Sequence, residues 1–418
     1  PPMNALPPAT PARTEDALLI EGAEVLLPDG LARVSVRIED GGITGLDVAA
    51  DGARRVAARG MLLAPALVDI HGDAFERQLM PRPGVLLPVE AALLETDRQL
   101  AANGIATAYH ALTLSWEPGL RSVQMGWDVL GTLNRIAPRL TVENRLQLRW
   151  ETFCFEAVPL IEAALAGPLT PSVAFNDHTS MILLDPSVAL QDRPFEHAPG
   201  FPVTAFDNPV FLAKMELRAK RSQMETQACV ELIREVWSRR PQVPPRIAEV
   251  AALGRRAGAA MLSHDDTRAE TRDFYRALGA GISEFPMNLA TARAARDAGD
   301  QIVFGAPNAA RGGSHLGSPG AAAMVAEGLC DILASDYYYP ALLSAVARLR
   351  ADRVAPLERL WPLVAANPAR ALGLHDRGEI APGQRADLVL VDWPEGQAPA
   401  VRQTLVAGRM AYGAVAAG

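Results

Sequence analysis

The chain has 418 residues, which exceeds one ordinary compact domain and suits a barrel of about 250 to 300 residues with a smaller companion. Its residues are 49% hydrophobic and 21% charged, a balance that excludes disordered, collagen-like and coiled-coil proteins. The formal net charge of −8 disfavours nucleic acid and membranes as partners, because both are polyanionic, so an anionic substrate needs local positive charge.

The two ends of the chain and its cysteines bear on its cellular location. Residues 1–16 are rich in proline and alanine and lack a basic stretch followed by an apolar one, so we expect a loose tail and no secretion signal. No apolar run approaches the roughly 18 to 20 residues of a membrane span. The three cysteines match no zinc or disulfide spacing, which favours the cytoplasm: Cys154, Cys229 and Cys330.

Both terminal segments predict short strands separated by tight turns. The strands predicted near the start are 17–20, 24–27, 34–39 and 43–46, and those near the end are 387–392 and 401–406. Neither segment has enough apolar residues to form a core alone. We therefore expect residues 17–62 and 375–418 to form one split β-sandwich.

Between these segments, over residues 63–374, short apolar runs alternate with longer helical patterns. The eight predicted strands are 67–70, 106–111, 146–150, 172–175, 259–263, 281–285, 301–304 and 331–334. Repeated βα units of this kind are typical of a parallel sheet, and eight of them suit closure. The sequence predicts an α/β protein with a (β/α)₈ TIM-like barrel, and an open doubly wound sheet is the alternative.

Ionisable residues follow several of the predicted strands. They are His71 and Asp73, Glu151, His178, His264 and Asp336. In parallel barrels the carboxyl ends of the strands form the active-site face. Imidazole and carboxylate ligands together suit zinc, and also manganese or iron. A single buried histidine is more often a core residue, but compact polar clusters directly after apolar runs favour a metal site.

The remaining histidines give weaker signals. His110 lies inside an apolar strand and fits either the core or a position behind the metal ligands, whereas His197 and His375 are typical of loops or the surface.

The ligand pattern resembles the amidohydrolase superfamily over nearly the whole chain. The resemblance implies a barrel with metal ligands on its first, middle and last strands, and a split β-sandwich. The usual first-strand motif of that superfamily is His-X-His, and this chain has His71-Gly72-Asp73 instead.

Several motifs are similar to one family of diphosphatases in phosphonate catabolism, in which the Asp of the first motif is expected. They are His71-Gly72-Asp73 with Met80-Pro81-Arg82-Pro83, Leu262-Ser263-His264-Asp265-Asp266, Phe304-Gly305-Ala306-Pro307-Asn308 with Arg311-Gly312-Gly313-Ser314-His315, and Leu333-Ala334-Ser335-Asp336-Tyr337. The resemblance implies hydrolysis of α-D-ribose 1-methylphosphonate 5-triphosphate with release of pyrophosphate.

Phosphoanhydride hydrolysis suits a site with two divalent metals. We expect two Zn²⁺ ions, with Mn²⁺ or Fe²⁺ as alternatives. One metal is assigned to His71 and Asp73 and the other to His178 and His264, with Glu151 bridging. Asp336 is the expected proton acceptor and a further contact of the first metal. Asp265 or Asp177 is expected to hold an imidazole in one tautomer.

Two segments are candidates for binding the phosphates. Arg82, in Met80-Pro81-Arg82-Pro83, is a further candidate contact. The Gly-rich loop 308–315 offers Asn308, Arg311, Ser314 and His315 between the last two strands, although such loops often mark only a tight turn.

The second segment contains both lysines of the chain and includes Lys214, Arg218, Lys220 and Arg221. If it is helical, residues 214, 218 and 221 share a face. The alternatives are a solvated basic surface and a lid over the triphosphate site, inserted after the fourth strand.

Two other functions stay open. The same metal site suits an amidohydrolase or deaminase that cleaves a carbon–nitrogen bond of a cyclic amide, N-acyl sugar or purine-like ring, and apolar cavity walls would favour it. A catalytically inactive scaffold is the third interpretation, because fold alone does not establish activity. The expected partner is a small phosphorylated sugar, and a homodimer is compatible with the pattern.

Overall fold

The computed structural model describes residues 17–312 and 320–414, so the predicted tail lies outside the described residues. Strands β1 to β7 are Leu18–Glu21, Glu24–Leu27, Gly30–Ala32, Val36–Glu39, Gly42–Leu46, Arg54–Ala57 and Leu62–Pro65. Strands β8 to β15 are Leu67–Gly72, Ile105–Leu114, Glu143–Glu151, Ser172–Asn176, Met261–His264, Ile282–Glu284, Gln301–Gly305 and Ile332–Ala334. Strands β16 to β18 are Leu388–Asp392, Ala400–Val406 and Arg409–Gly413.

The described residues form fifteen α-helices, most of which connect the parallel strands. Helices α1 to α5 are Glu76–Leu79, Val89–Ala102, Val123–Ile136, Val158–Leu165 and His178–Leu183. Helices α6 to α10 are Pro209–Ser222, Thr226–Ser238, Val243–Ala257, Ala269–Ala277 and Leu289–Asp297. Helices α11 to α15 are Ala306–Arg311, Ala321–Ala326, Ala341–Ala351, Leu357–Leu360 and Ala366–Ala371.

Strands β8 to β15 pair in chain order and in parallel, which confirms the predicted eight-stranded barrel. The first and last strands meet at a bridge between Gly72 and Asp336. There the Asp73 amide donates to the Asp336 carbonyl at 2.9 Å, and the Asp336 amide donates to the His71 carbonyl at 2.9 Å. These bonds bring the first and last strands together, so the open-sheet alternative is wrong.

Branched and aromatic side chains fill the barrel interior. They include Ile70, Tyr109, Leu262, Val303 and Ile332, each at most 4% exposed. Leu372 and Leu374, which follow α15, belong to the same cluster. The polar functional residues therefore lie above a packed apolar floor.

The remaining strands form a six-stranded sheet, in the order β18-β17-β16-β7-β2-β3, and a four-stranded sheet, in the order β5-β4-β1-β6. Their shared core includes Ile20, Val36 and Ile38 from the start of the chain and Leu390 and Leu405 from its end. The sandwich is therefore split as predicted. Strand β7 pairs with β2 and β16 of the sandwich. We therefore place the boundary between the sandwich and the barrel at Ala66, a few residues beyond the predicted one.

The longest barrel insertion lies between β11 and β12 and carries α5 to α8. Helices α5, α6 and α7 share an apolar cluster that includes Leu183, Phe211, Met215 and Ile233. The segment predicted to follow the fourth strand is therefore helical and packed. In the described part of the chain, none of the helices is long and apolar enough to cross a membrane.

Candidate metal centre and substrate cavity

The predicted ligand residues converge at the carboxyl ends of the barrel strands. His71 lies near the end of β8, and Glu151 and His264 are the last residues of β10 and β12. His178 begins α5 directly after β11, and Asp336 follows β15. This is the edge at which parallel barrels carry active sites.

The first group of candidate ligands contains His71, Asp73 and Asp336. One ligand atom from each lies within 4.8 Å of those of the other two. The backbone bonds that close the barrel hold the three residues together, because they join the strand segments that carry them.

Close packing around Gly72 explains why glycine is the middle residue of the His71-Gly72-Asp73 motif. A Cβ atom at this position would lie 2.7 Å from Asp69 Oδ2 and 2.9 Å from Tyr339 Cε1, so no larger residue fits. The buried Asp69 carboxylate accepts from the Ser335 amide at 3.0 Å and from the Ser335 hydroxyl at 2.5 Å. Asp69 thus ties the first strand to the segment that carries Asp336.

The second group contains His178, His264 and Asp265, with one ligand atom of each again within 4.8 Å of the others. Asp265 Oδ2 lies 3.0 Å from His264 Nδ1 and 3.7 Å from His178 Nε2. The His264 ring lies between the other two histidines, with centroids 5.7 Å from His71 and 5.9 Å from His178. The three imidazoles therefore form one continuous cluster.

Sequence reasoning missed Glu284, the last residue of β13. Its carboxylate is fully buried, with Oε1 3.1 Å from His71 Nδ1 and Oε2 3.9 Å from His264 Nε2. Gln147 Nε2 donates to Oε1 at 2.9 Å. Glu284, His71 and His264 form a third group that could hold an ion.

The remaining predicted acidic residues lie beside this cluster. Glu151 Oε1 contacts His178 Nδ1 at 2.5 Å, and Oε2 accepts from the His178 amide at 3.1 Å. Its bridging role stays a prediction. Asp177 caps α5 by accepting from the Ser180 amide at 2.8 Å and the Ser180 hydroxyl at 2.7 Å. Between the two candidates for orienting an imidazole, Asp265 therefore has the closer contacts.

Three residues at strand ends in this site have left-handed backbone conformations. Their φ angles are +59° at Asp265, +56° at Phe285 and +54° at Asp336. This region is costly for a bulky residue such as phenylalanine, and such residues tend to occur at functional sites. The Phe285 ring packs edge-on against His71 and His264, with both centroid distances 5.2 Å.

The buried cluster fits a divalent metal. Both ring nitrogens of His71, both of His264 and Glu284 Oε2 are buried and make no hydrogen bond within the described residues. Leaving such atoms without a partner is costly, and metal coordination removes that cost. Nitrogen and oxygen donors together suit Zn²⁺, Mn²⁺ or Fe²⁺.

Burial and the neighbouring charges set the protonation of these groups. Burial and the Asp73 carboxylate raise the pKa of Asp336 to about 6, against the opposing charge of His71. Burial disfavours the charged form of His178, but Glu151 and Asp265 outweigh it and raise the pKa of His178 to about 9. Burial alone would raise the pKa of Asp265, yet His264 and His178 hold it well below its usual value.

A cavity of about 690 Å³ opens over the cluster. Its floor includes Asp73, Glu151, His178, His264 and Asp336. Its cationic lining consists of Arg121, Arg149, Lys214 and Arg218, and an apolar wall includes Ile182, Leu184, Val188, Leu190 and Met287.

The predicted substrate contacts have different positions. Lys214, Arg218 and Asn308 line the cavity, and Arg218 forms an ion pair with Glu117 on the same lining. Arg82 and Arg311 are exposed and do not line it. The predicted contacts Ser314 and His315 lie outside the described residues, as does the side chain of Arg221.

Arg121 and Arg149 are the cationic lining residues that sequence reasoning missed. For Arg149 a signal was available, because β10 alternates apolar Leu148 and Trp150 with polar Arg149 and Glu151. Alternate residues of a strand face opposite sides, so Glu151 at a barrel mouth implies that Arg149 faces the same interior.

The other histidines lie away from the cluster. His110 Nε2 pairs with Asn144 Oδ1 at 2.7 Å, and Asn144 also donates to Asp97 at 2.8 Å, so His110 belongs to a buried structural network. His197 packs between the Phe195 and Phe274 rings in a loop. His375 is exposed.

With this geometry established, comparison with known proteins identifies the family. The family model described as "Amidohydrolase family" matches residues 189–412, more than half of the chain. The chain belongs to the amidohydrolase family. It is therefore a metal-dependent hydrolase, and the predicted resemblance is confirmed.

A relative of this chain is the α-D-ribose 1-methylphosphonate 5-triphosphate diphosphatase of Escherichia coli strain K12. The two sequences are 30% identical over 392 residues, which span 89% of this chain and 94% of that protein.

Solved structures confirm the amidohydrolase fold. Molinate hydrolase has a TM-score of 0.61 at 14% identity, covering 95% of each chain. An adenosine deaminase from Xanthomonas campestris with bound zinc has a TM-score of 0.59 at 14% identity, covering 94% of this chain and 92% of that one. At such identities the likeness concerns the fold alone.

Proposed function

We propose that this amidohydrolase hydrolyses α-D-ribose 1-methylphosphonate 5-triphosphate, or a closely similar sugar triphosphate, and releases pyrophosphate. The main support for the proposal is the cationic lining of the cavity, which lies beside the candidate metal ligands. A polyanionic substrate needs such a lining because the protein as a whole is negatively charged. The 30% identical diphosphatase supports the same substrate class.

We assign the metal sites to the groups described above, with His71, Asp73 and Asp336 as one set and His178, His264 and Asp265 as the other. When bound, two divalent ions supply an activated water and neutralise charge on phosphoryl oxygens. Zn²⁺ is the expected ion, with Mn²⁺ or Fe²⁺ as alternatives.

Asp336 is the proposed proton acceptor. Its carboxylate lines the cavity, and burial with the Asp73 charge raises its pKa to about 6, so it can take a proton from the attacking water near neutral pH. The water oxygen bonds to phosphorus while the anhydride bond between the first and second phosphates breaks. Pyrophosphate leaves, and the sugar keeps its 5-phosphate.

The cationic residues bind the phosphates from two sides. Arg121 and Arg149 belong to the barrel, whereas Lys214 and Arg218 reach the cavity from α6 of the insertion. Asn308 adds an amide at the start of α11. Helix α6 holds Lys214 and Arg218 at the cavity because it packs on the apolar cluster around Phe211 and Met215.

The apolar wall favours a second candidate function. Hydrolysis of a carbon–nitrogen bond in a neutral ring would use the same metal cluster and would place the ring against residues such as Ile182 and Met287. We rank it second because a neutral ring would leave the cation of Arg149, which is 8% exposed, without an anionic ligand.

Phosphorus NMR tests the proposal directly. The zinc- or manganese-loaded enzyme is incubated with ribose 1-methylphosphonate 5-triphosphate, and the expected result is the appearance of pyrophosphate. Asp336→Asn should slow the reaction by at least about 100-fold, since a positioned acid or base typically contributes that much. Absence of turnover by an enzyme with demonstrated bound metal would reject the proposal in favour of carbon–nitrogen hydrolysis.

A further inference from the structure

The guanidinium of Arg149 is buried at the floor of the cavity. Arg149 is 8% exposed and lies on β10, where it is paired with Thr113 of β9 and Ala174 of β11. It lies two residues before Glu151, and its side chain lines the same cavity. A positive charge with little exposure to solvent is therefore held beside the candidate metal ligands.

The hydrogen bonds of Arg149 are incomplete. Its Nε donates to Asn176 Oδ1 at 3.1 Å, and Nη1 lies 3.8 Å from Asp73 Oδ2, which is beyond hydrogen-bond range. Within the described residues, neither Nη group has a hydrogen-bond acceptor. Because the guanidinium offers five donors, most of its hydrogen-bonding capacity is directed at the cavity.

Two other buried arginines, Arg272 and Arg193, have structural roles and make close hydrogen bonds with protein acceptors. Arg272 donates to Asp300 at 2.8 Å and to the Ala280 carbonyl at 2.9 Å. Arg193 donates to Glu196 at 2.7 Å and to the Asp265 carbonyl at 2.8 Å. Each has a carboxylate within hydrogen-bond distance.

Arg121, the neighbouring cavity cation, is also satisfied. It binds Glu76 with both Nε, at 2.9 Å, and Nη2, at 2.8 Å. Arg149 differs from these three, because its nearest carboxylate is too distant for a hydrogen bond. A buried cation without a close partner is costly, so an anionic ligand is the natural partner.

We propose that Arg149 binds a non-bridging phosphoryl oxygen of the substrate at the scissile phosphoanhydride, and of the pyrophosphate product, through its two Nη groups. Planar guanidinium donors suit a bidentate contact with a phosphoryl group. The Nε bond to Asn176 fixes the plane of the guanidinium, so lysine, with one ammonium group, cannot fill both roles.

This inference rests on the proposed function for the identity of the substrate and adds a specificity-determining residue to it. A neutral carbonyl or ring would leave the guanidinium unpaired, so Arg149 discriminates against the substrates of a carbon–nitrogen hydrolase.

The test measures binding rather than turnover. The full-length enzyme is loaded with Zn²⁺ and desalted, and inorganic pyrophosphate is titrated into it by isothermal calorimetry. The variants are Arg149→Met and Arg149→Lys, with Arg98→Met as the matched control, because Arg98 lies on α2, is exposed and does not line the cavity. Zinc content and circular dichroism are recorded for each protein.

We expect both Arg149 variants to bind pyrophosphate at least about tenfold more weakly than the unmodified enzyme at equal zinc content, and Arg98→Met to bind it unchanged. Should Arg149→Met fail to fold, Arg149→Lys decides the question. Affinity within twofold of the unmodified enzyme in a folded, zinc-loaded Arg149 variant overturns the inference, as does the absence of any pyrophosphate binding.

The two proposals fail in distinguishable ways. Pyrophosphate binding that depends on Arg149, together with no hydrolysis of the triphosphate, would leave the anion site standing and reject the proposed substrate. If the unmodified enzyme hydrolyses the triphosphate and the KM is the same in Arg149→Lys, the proposed substrate stands and the role of Arg149 is rejected.

Discussion

At the scale of single residues, the site depends on buried polar atoms that have no ordinary partners. The ring nitrogens of His71 and His264 make no hydrogen bond within the described residues, although carboxylate oxygens of Glu284 and Asp265 lie 3.1 Å and 3.0 Å from their Nδ1 atoms. Buried groups of this kind are stable when they coordinate a metal or orient its ligands.

Glu284→Gln should weaken zinc binding by roughly 10-fold to 100-fold, the range typical for residues that orient a metal ligand. The physical reason is that an amide replaces the negative charge 3.1 Å from His71 Nδ1. Competition with a chromophoric chelator measures the affinity, and Glu162→Gln, on the exposed face of α4, is the control. Unchanged zinc affinity in Glu284→Gln would show that this carboxylate does not support the centre.

Gly72→Ala should lower the thermal unfolding midpoint, because the added Cβ would lie within 3 Å of Asp69 and Tyr339. Overpacking of this kind costs about 1 to 3 kcal/mol. Gly131→Ala, in α3 with no atom within 4 Å of its Cβ, should raise the midpoint slightly, since alanine favours helix by about 0.5 to 1 kcal/mol. Equal midpoints for the two variants would contradict this account of the motif.

At this scale the sequence predicted part of the site. His71, His178 and His264 could be proposed because each lies at or just after the end of an apolar run in the sequence. Glu284 was missed because one acidic residue at the end of a strand carries no distinctive signal. The left-handed backbone of Phe285 was beyond sequence reasoning, because contacts between strands impose it.

At the scale of elements, the insertion after β11 brings α6 to the cavity. Lys214 and Arg218 line the cavity from this helix, whereas Lys220 is exposed and bonds Glu216 at 2.7 Å on the same helix. The two lysines of the chain therefore offer a matched comparison. The sequence left the helical state of this segment open, and its contact with the cavity depends on packing around Phe211 and Met215.

Lys214→Met should raise the KM for the triphosphate about fivefold, as expected for an exposed charge interaction of about 1 kcal/mol. The inhibition constant of ribose 5-phosphate should change less, because a monophosphate offers less negative charge to Lys214. Lys220→Met should leave both constants unchanged. Equal effects of Lys214→Met on the two ligands would mean that α6 presents only a solvated basic surface.

At the scale of the whole molecule, charged residues join the barrel to the sandwich. Glu143, the first residue of β10, lies 2.6 Å from Arg385 and 3.0 Å from Arg377, in the segment that leads into β16. Burial opposes ionisation of Glu143, but Arg377, Arg145 and Arg385 lower its pKa to about 2. The predicted division of the chain followed from strand spacing, whereas this junction needed the folded structure, since it joins residues more than 200 positions apart.

Glu143→Gln should therefore destabilise the protein at neutral pH by an amount on the order of 3 kcal/mol. A carboxyl group with a lowered pKa in the folded state stabilises the fold above its unfolded pKa and loses that contribution as the pH falls towards 2. Denaturant unfolding between pH 7 and pH 3 measures the difference. The difference in free energy of unfolding between Glu143→Gln and the unmodified protein should narrow on acidification. Glu24→Gln, at an exposed position, should show no such difference. A gap that stays constant with pH would contradict the assignment.

The ends of the barrel strands are proposed to hold metal ions. Anomalous scattering from crystals grown with Mn²⁺ would locate these ions. Two peaks are predicted, one among His71, Asp73 and Asp336 and the other among His178, His264 and Asp265. Absence of peaks at the strand ends, or peaks only at surface carboxylates, would contradict the account.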